Sequence, residues 1–298
     1  MKLFYFRGKV PNFGDELNTY VWPALLPKGF LDDDPNELML GIGSIIGDHL
    51  PAAARKFVVG SGFAGYMGHP DMHDGTWEVE FVRGPKTAAI LELPPEKAIC
   101  DSAVLLRAMK LPAPVDGIDI AFMPHYESLE RGAWRDACRM AGITLIDPTL
   151  EDVETIVAQV RGARLLITEA MHGAIVADAV RTPWIGAKPI FRGHHMKWQD
   201  WSQALGIHLR MHTLKPTSML ELYIGTTGRG GEGGKIGWLN RTPVAAIPNR
   251  VLTQIAAQHL TRLADEEPQL SADSRIEEVT ERAVAALDRF VRSRVAVS

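Results

Sequence analysis

His172 stands in Thr168-Glu169-Ala170-Met171-His172-Gly173-Ala174, after the apolar run 164–168 and ahead of Ile175, Val176 and Ala179 at helical spacing. At such a strand-to-helix junction an imidazole and the backbone N–H groups of Gly173 and Ala174 can face one anion together, and the ring can move a proton near neutral pH. Phosphate binding or acid/base catalysis is the chemistry expected of His172, set against a capping or core histidine. Glu169 reads as an acid/base group or as a loop anchor. Asp15, after the glycine of Asn12-Phe13-Gly14-Asp15, can accept a hydrogen bond from a hydroxyl, act as its base, or cap the helix that follows. Arg83 ends the run 78–83, where a guanidinium at a strand tip suits a carboxylate or phosphate; a structural salt bridge is the alternative. His69 and His73 bracket Pro70-Asp71-Met72 and read as a solvated loop, while His194 and His195 point apart if extended. No metal is assigned.

These side chains need strands that end, and helices that begin, beside them. Short apolar runs at 2–7, 37–42, 56–60, 78–83, 98–100, 118–123, 143–146, 164–168 and 183–186 alternate with helical patterns, which is how βα units build a parallel sheet. The Pro-rich segment Leu111-Pro112-Ala113-Pro114-Val115-Asp116-Gly117 separates two such series. The expected domains are residues 1–112, residues 113–215, and a region 216–298 that holds the Gly-rich segment 228–234 and two helices, at 249–266 and 274–294. Ser274 and Glu277 spell a capping box, and Ile276, Val279, Ala283, Leu287 and Phe290 share one face, so the last helix is expected to dock onto the α/β halves.

In doubly wound sheets ligands sit outside the carboxyl ends of the strands. Here those ends carry Asn12-Phe13-Gly14-Asp15, Gly41-Ile42-Gly43-Ser44, Gly60-Ser61-Gly62, Val82-Arg83-Gly84, Met123-Pro124-His125-Tyr126 and the His172 segment. Polar, glycine-bearing strand ends in both halves suggest an α/β protein of two facing Rossmann-like domains with a cleft between them, the glycosyltransferase-B type. The net charge of −4, from 32 basic and 36 acidic side chains, gives nucleic-acid binding no support. No apolar stretch reaches the ~20 residues of a membrane helix, and the first residues do not read as a signal peptide. With only two cysteines, neither in a zinc spacing, a reduced cytoplasmic protein is expected. Gly60 to Gly65 spells GxGxxG, but Gly68 and Pro70 follow where a helix should open. The segment 229–236 has Ile236 where a Walker A motif needs Ser or Thr.

The succession Asn12-Phe13-Gly14-Asp15-Glu16-Leu17, Gly41-Ile42-Gly43-Ser44, Val82-Arg83-Gly84-Pro85-Lys86-Thr87, Asp101-Ser102-Ala103, the His172 segment, Thr182-Pro183-Trp184-Ile185 and Lys197-Trp198-Gln199-Asp200 resembles the polysaccharide pyruvyl transferase family, in its bacterial exopolysaccharide branch. It covers about residues 10–205. The resemblance implies transfer of the pyruvyl group of phosphoenolpyruvate to a sugar as a ketal, with release of phosphate and no further cofactor. It also implies a lipid-linked oligosaccharide or polysaccharide acceptor, met at the cytoplasmic face of the inner membrane with peripheral contact. One departure stands out: the family often has Arg-Leu-His where this chain has Ala170-Met171-His172. His172, Glu169 and Asp15 are then the expected catalytic groups, and Gly14, Gly43, Ser44, His125 and Gly173 line the substrates. Arg83, Lys197 and Arg192 are the cations expected to replace the absent arginine. A nucleotide-sugar glycosyltransferase shares the fold, but the position eight after Glu169, where retaining enzymes often carry a second glutamate, is Ala177. A silent carbohydrate-binding protein is the third reading.

Overall fold

The computed structural model describes residues 1–149, 152–190, 195–228, 235–240 and 242–296. The chain forms two compact units, Met1–Leu111 with Met196–His208 and Ser271–Ser298, and Pro112–His195 with Leu209–Leu270. The first passage between them falls at the Pro-rich segment, but the units are interleaved in sequence where contiguous domains were expected.

Four parallel strands build the first unit in the order β1 (Lys2–Phe4), β2 (Glu37–Leu40), β3 (Arg55–Val59), β4 (Trp77–Phe81). The β1–β2 connection carries a helix, α1 (Phe13–Leu25), whereas loops follow β2 and β3, so the two sheet faces are covered differently. Leu38, Leu40 and Val58 join Ile45, Ile46, Leu50 and Phe63 of those loops, with Ala88 of the short helix α2 (Pro85–Ile90). Phe57 alternates to the opposite face. There Phe290 of α11 (Asp273–Val295) packs 5.7 Å away, and Arg294 closes the end of the helix with two bonds to Glu37 at 2.6 and 2.5 Å. The five face residues read from helical spacing are all buried. The expected capping box does not form, because the N-cap is Ala272 and Ser274 already lies inside the helix. Residues 98–100, expected as a strand, reduce to a single bridge between Val82 and Ala98, squeezed between two 3-10 helices, Pro95–Lys97 and Ser102–Ala108. Helix α7 (His195–Ala204) buries Trp198 and Trp201.

The second unit is a five-stranded parallel sheet in the order β6 (Thr144–Leu145), β5 (Ile120–Met123), β7 (Leu165–Thr168), β8 (Trp184–Lys188), β9 (Met211–Thr213). Its connections run through α3 (Tyr126–Arg131), α4 (Trp134–Ala141), α5 (Val153–Gly162), α6 (Met171–Val180), and α7 of the first unit. Then come α8 (Met219–Thr227), α9 (Lys235–Asn240) and α10 (Ala246–Leu263). Phe122, Trp134, Ile167 and Ile185 form its core with Ala256, Ala257, Leu260 and Leu263 of α10. Two parallel α/β sheets flanked by helices agree with the Rossmann-like expectation. Among the described residues no helix is long and apolar enough to cross a membrane.

Candidate functional site

In the second unit the first strand, β5, lies between β6 and β7, so the chain leaves it in one direction and later returns on the other. This is the flavodoxin-like order, and its switch point lies outside the carboxyl ends of β5 and β7. Met123 pairs with Thr168, so the two strands end level. The residues just beyond them are His125 and Glu169 with His172.

Glu169 is fully buried and accepts three hydrogen bonds, from the backbone N–H of His125 (2.9 Å), the Ser128 hydroxyl (2.8 Å) and the N–H of Ile190 (3.0 Å). Burial pushes its carboxyl up to about 7 against the pull of these donors. Of the two roles open to it, the geometry is that of the anchor: one carboxylate ties the exit of β5 to the segment after β8. His125 is buried and caps α3, its Nδ1 accepting from the N–H of Glu127 (3.4 Å).

His172 is half-buried in the first turn of α6, whose N-cap, Ala170, offers no side-chain acceptor. The Ala174 N–H bonds back to Ala170 O (3.3 Å), so of the two N–H groups expected to face an anion it is spent inside the helix. That of Gly173 is a first-turn donor of the kind a helix does not satisfy internally. A Cβ at Gly173 would lie 2.5 Å from Thr168 Oγ1 and 2.8 Å from Met123 Sδ, so glycine is what lets α6 start this close to the strands. Lys188 is exposed at the carboxyl end of β8.

The other expected residues gather in the first unit. Asp15 is half-buried in the first turn of α1 and accepts from Asn12 Nδ2 (2.7 Å); Asn12 holds the N-cap position, so Asp15 does not cap the helix, and Gly14 is buried beside it. Gly43 takes a left-handed φ of 122° next to Asp15. Ser44 accepts a bond from Arg83 Nη1 (2.5 Å).

Arg83 is fully buried. Its Nε donates to Asp200 Oδ2 (3.0 Å) and its Nη2 to Phe63 O (3.1 Å), so the structural salt bridge replaces the free guanidinium at a strand tip. It reaches this depth because Gly62 has no side chain: a Cβ there would sit 2.2 Å from Arg83 Cζ. Asp200 in turn accepts from the N–H groups of Lys86 (2.9 Å) and Thr87 (3.1 Å) and from the Thr87 hydroxyl (2.6 Å). It thereby caps α2, whose N-cap position is Gly84. Lys197 is half-buried on α7, in the first unit. Arg192 and the segment 229–234 lie outside the described residues.

Three residues of this framework have no sequence signature of their own. Buried Asn18 donates to Asp15 O and Ile42 O, and its Oδ1 accepts from Trp22 Nε1 and the Ile42 N–H, which fixes α1 to the loop after β2. Buried Glu221 accepts from Trp134 Nε1, Thr217 N–H and the Thr217 hydroxyl, each at 2.7 Å, and burial pushes its carboxyl up to about 7. Asp200 was legible only as part of the lysine motif. Among the described residues no group of three or more His, Cys, Asp or Glu is placed to hold a metal.

No family model matches the chain. In an alignment of 316 positions, gaps included, that spans 98% of this chain and 99% of the relative, it is 34% identical to the succinoglycan biosynthesis protein ExoV of Rhizobium meliloti (strain 1021). Identity of this degree across two nearly complete chains is shared descent of the whole fold, and the chain belongs to the family of that protein.

Proposed function

We infer that the protein takes part in exopolysaccharide biosynthesis, and within it we propose a phosphoenolpyruvate-dependent transferase that builds a pyruvyl ketal on a sugar of the repeat unit. The observation that carries the reading is the near-full-length identity to a succinoglycan biosynthesis protein. The switch point of the second unit supplies chemistry that suits the donor. Ketal formation adds one sugar hydroxyl to the central carbon of the enol phosphate, protonates its methylene carbon to a methyl group, and displaces phosphate with a second hydroxyl. Of the two hydroxyl protons, one is needed at carbon and the other leaves with phosphate. His172 is the proton carrier in this scheme, and the start of α6 with Gly173 N–H receives the phosphate. Glu169 acts through His125 and Ile190 as a positioning residue.

A helix end is worth only about half a charge, so the carboxylate and phosphate of the donor need further cations. With Arg83 committed to Asp200 in the first unit, Lys188, exposed at the carboxyl end of β8 in the same sheet as the switch point, takes that role. The deciding experiment measures phosphate release and the mass of the sugar product with phosphoenolpyruvate and a lipid-linked or aryl glycoside, each alone and together. Release only with both, and a ketal in the product, supports the reading. Turnover of a nucleotide sugar in place of phosphoenolpyruvate would reassign the protein as a glycosyltransferase, and sugar binding with no turnover of either donor as a binding protein.

A further inference from the structure

The outward surface of the second unit carries an apolar row that its core does not use. Helix α10 turns Thr253, Ala256, Ala257, Leu260 and Leu263 inward. It leaves Ile247, Val251 and Ile255 exposed, each four residues from the next, so they line one face. Val244, 77% exposed in the turn Pro243–Ala245 that leads into α10, and Trp238, 72% exposed on α9, lie at the N-terminal end of the row. The surface is held in place: Asn249 accepts from Met219 N–H of α8 (2.9 Å) and donates to Asn240 O of α9 (3.3 Å).

Its charge singles out one kind of partner. From Lys235 to Ala264 the sequence has no Asp or Glu but four cations, Lys235, Arg241, Arg250 and Arg262, in a chain of net charge −4. Arg250 is exposed beside the apolar row. A second copy of the chain meeting this face with its own would set the exposed Arg250 and Arg262 of the two α10 helices against each other, whereas an anionic bilayer complements them and takes up the tryptophan and aliphatic side chains at its headgroup level.

We propose that the α9–α10 surface docks the protein on an anionic bilayer, with Trp238, Val244, Ile247, Val251 and Ile255 entering the headgroup region and Arg250 meeting lipid phosphates. The docking does not rest on the pyruvyl-transfer reading, because vesicle binding needs no turnover. The full chain is floated with vesicles of phosphatidylcholine alone or mixed with phosphatidylglycerol, at low and high salt. It should rise with the anionic vesicles, and salt should weaken that binding about tenfold. Tryptophan emission should shift to the blue on binding, and the shift should vanish in Trp238→Phe. Ile247→Asp with Val251→Asp should cut binding by about tenfold or more at unchanged Tm, and Arg250→Glu should lower anionic-vesicle affinity by a similar factor. No binding to anionic vesicles, equal binding to neutral ones, or binding indifferent to these variants would overturn the proposal. So would a dimer in sedimentation that Ile247→Asp dissociates, which would give the face to a second copy.

Discussion

Arg83→Ala should cost the first unit about 3 kcal/mol of stability, the low end of the range for stripping one partner from a buried ion pair. The magnitude follows from who is left behind. Asp200, 1% exposed, would lose its guanidinium but keep three donors, the N–H groups of Lys86 and Thr87 and the Thr87 hydroxyl, which moderates the penalty. Ser44 Oγ and Phe63 O would each lose a donor, at about 1 kcal/mol apiece. Arg83→Lys keeps the charge but cannot reach three acceptors with one ammonium, so it should fall between parent and alanine variant. Urea unfolding of the full chain measures the loss, and Arg83→Met with Asp200→Asn closes a double-mutant cycle whose coupling should exceed about 1 kcal/mol. An Arg83→Ala protein as stable as the parent, or a coupling near zero, would refute the buried pair as a structural clamp and return Arg83 to the substrate.

His172→Asn should lower turnover with phosphoenolpyruvate and acceptor by about 10²–10⁴ with an unchanged melting curve, the range for losing an acid/base or charge-stabilising group; unfolding instead would make His172 structural. Gly173→Ala places a methyl 2.5 Å from Thr168 Oγ1 and should destabilise the second unit by about 1–3 kcal/mol, read by thermal unfolding. The carboxyls of Glu169 and Glu221 titrate higher when folded than their ordinary value of 4.5, so the native state holds their protons longer than the unfolded chain does. Their contribution to stability is therefore complete below about pH 4.5 and is lost as pH rises to about 7, on the order of 3 kcal/mol for each group. Urea midpoints across that window should fall in the parent, and less in Glu221→Gln.

Each strand of the first unit and four of the five in the second were legible in the sequence, because apolar runs ending in glycine or a polar turn are what buried parallel strands look like. Met211–Thr213 escaped: it is three residues long, centred on His212, and carries no apolar pattern to read. The site residues were legible by type and by place at strand ends, but their depth was not. Val82-Arg83-Gly84 reads as a tip, and it takes the missing side chain of Gly62 and an aspartate 117 residues away to turn the guanidinium inward. Glu169 was ambiguous for the same reason, since its partners Ser128 and Ile190 lie 41 and 21 residues away and only the sheet order brings them together.

The return of α11 to the first unit has a consequence for how the protein is made. On the ribosome, the strands of residues 1–111 emerge before Pro112–Leu270, yet the helix that covers Phe57 follows only after all of that stretch has been synthesised. The second unit, apart from its crossing through residues 196–208, is complete before the first can close, so the nascent protein carries an uncovered aromatic sheet face through most of its synthesis. A chain stopped at Leu270 should keep a protease-resistant second unit and lose the first; resistance of residues 1–111 in that chain would show that the sheet closes without its last helix.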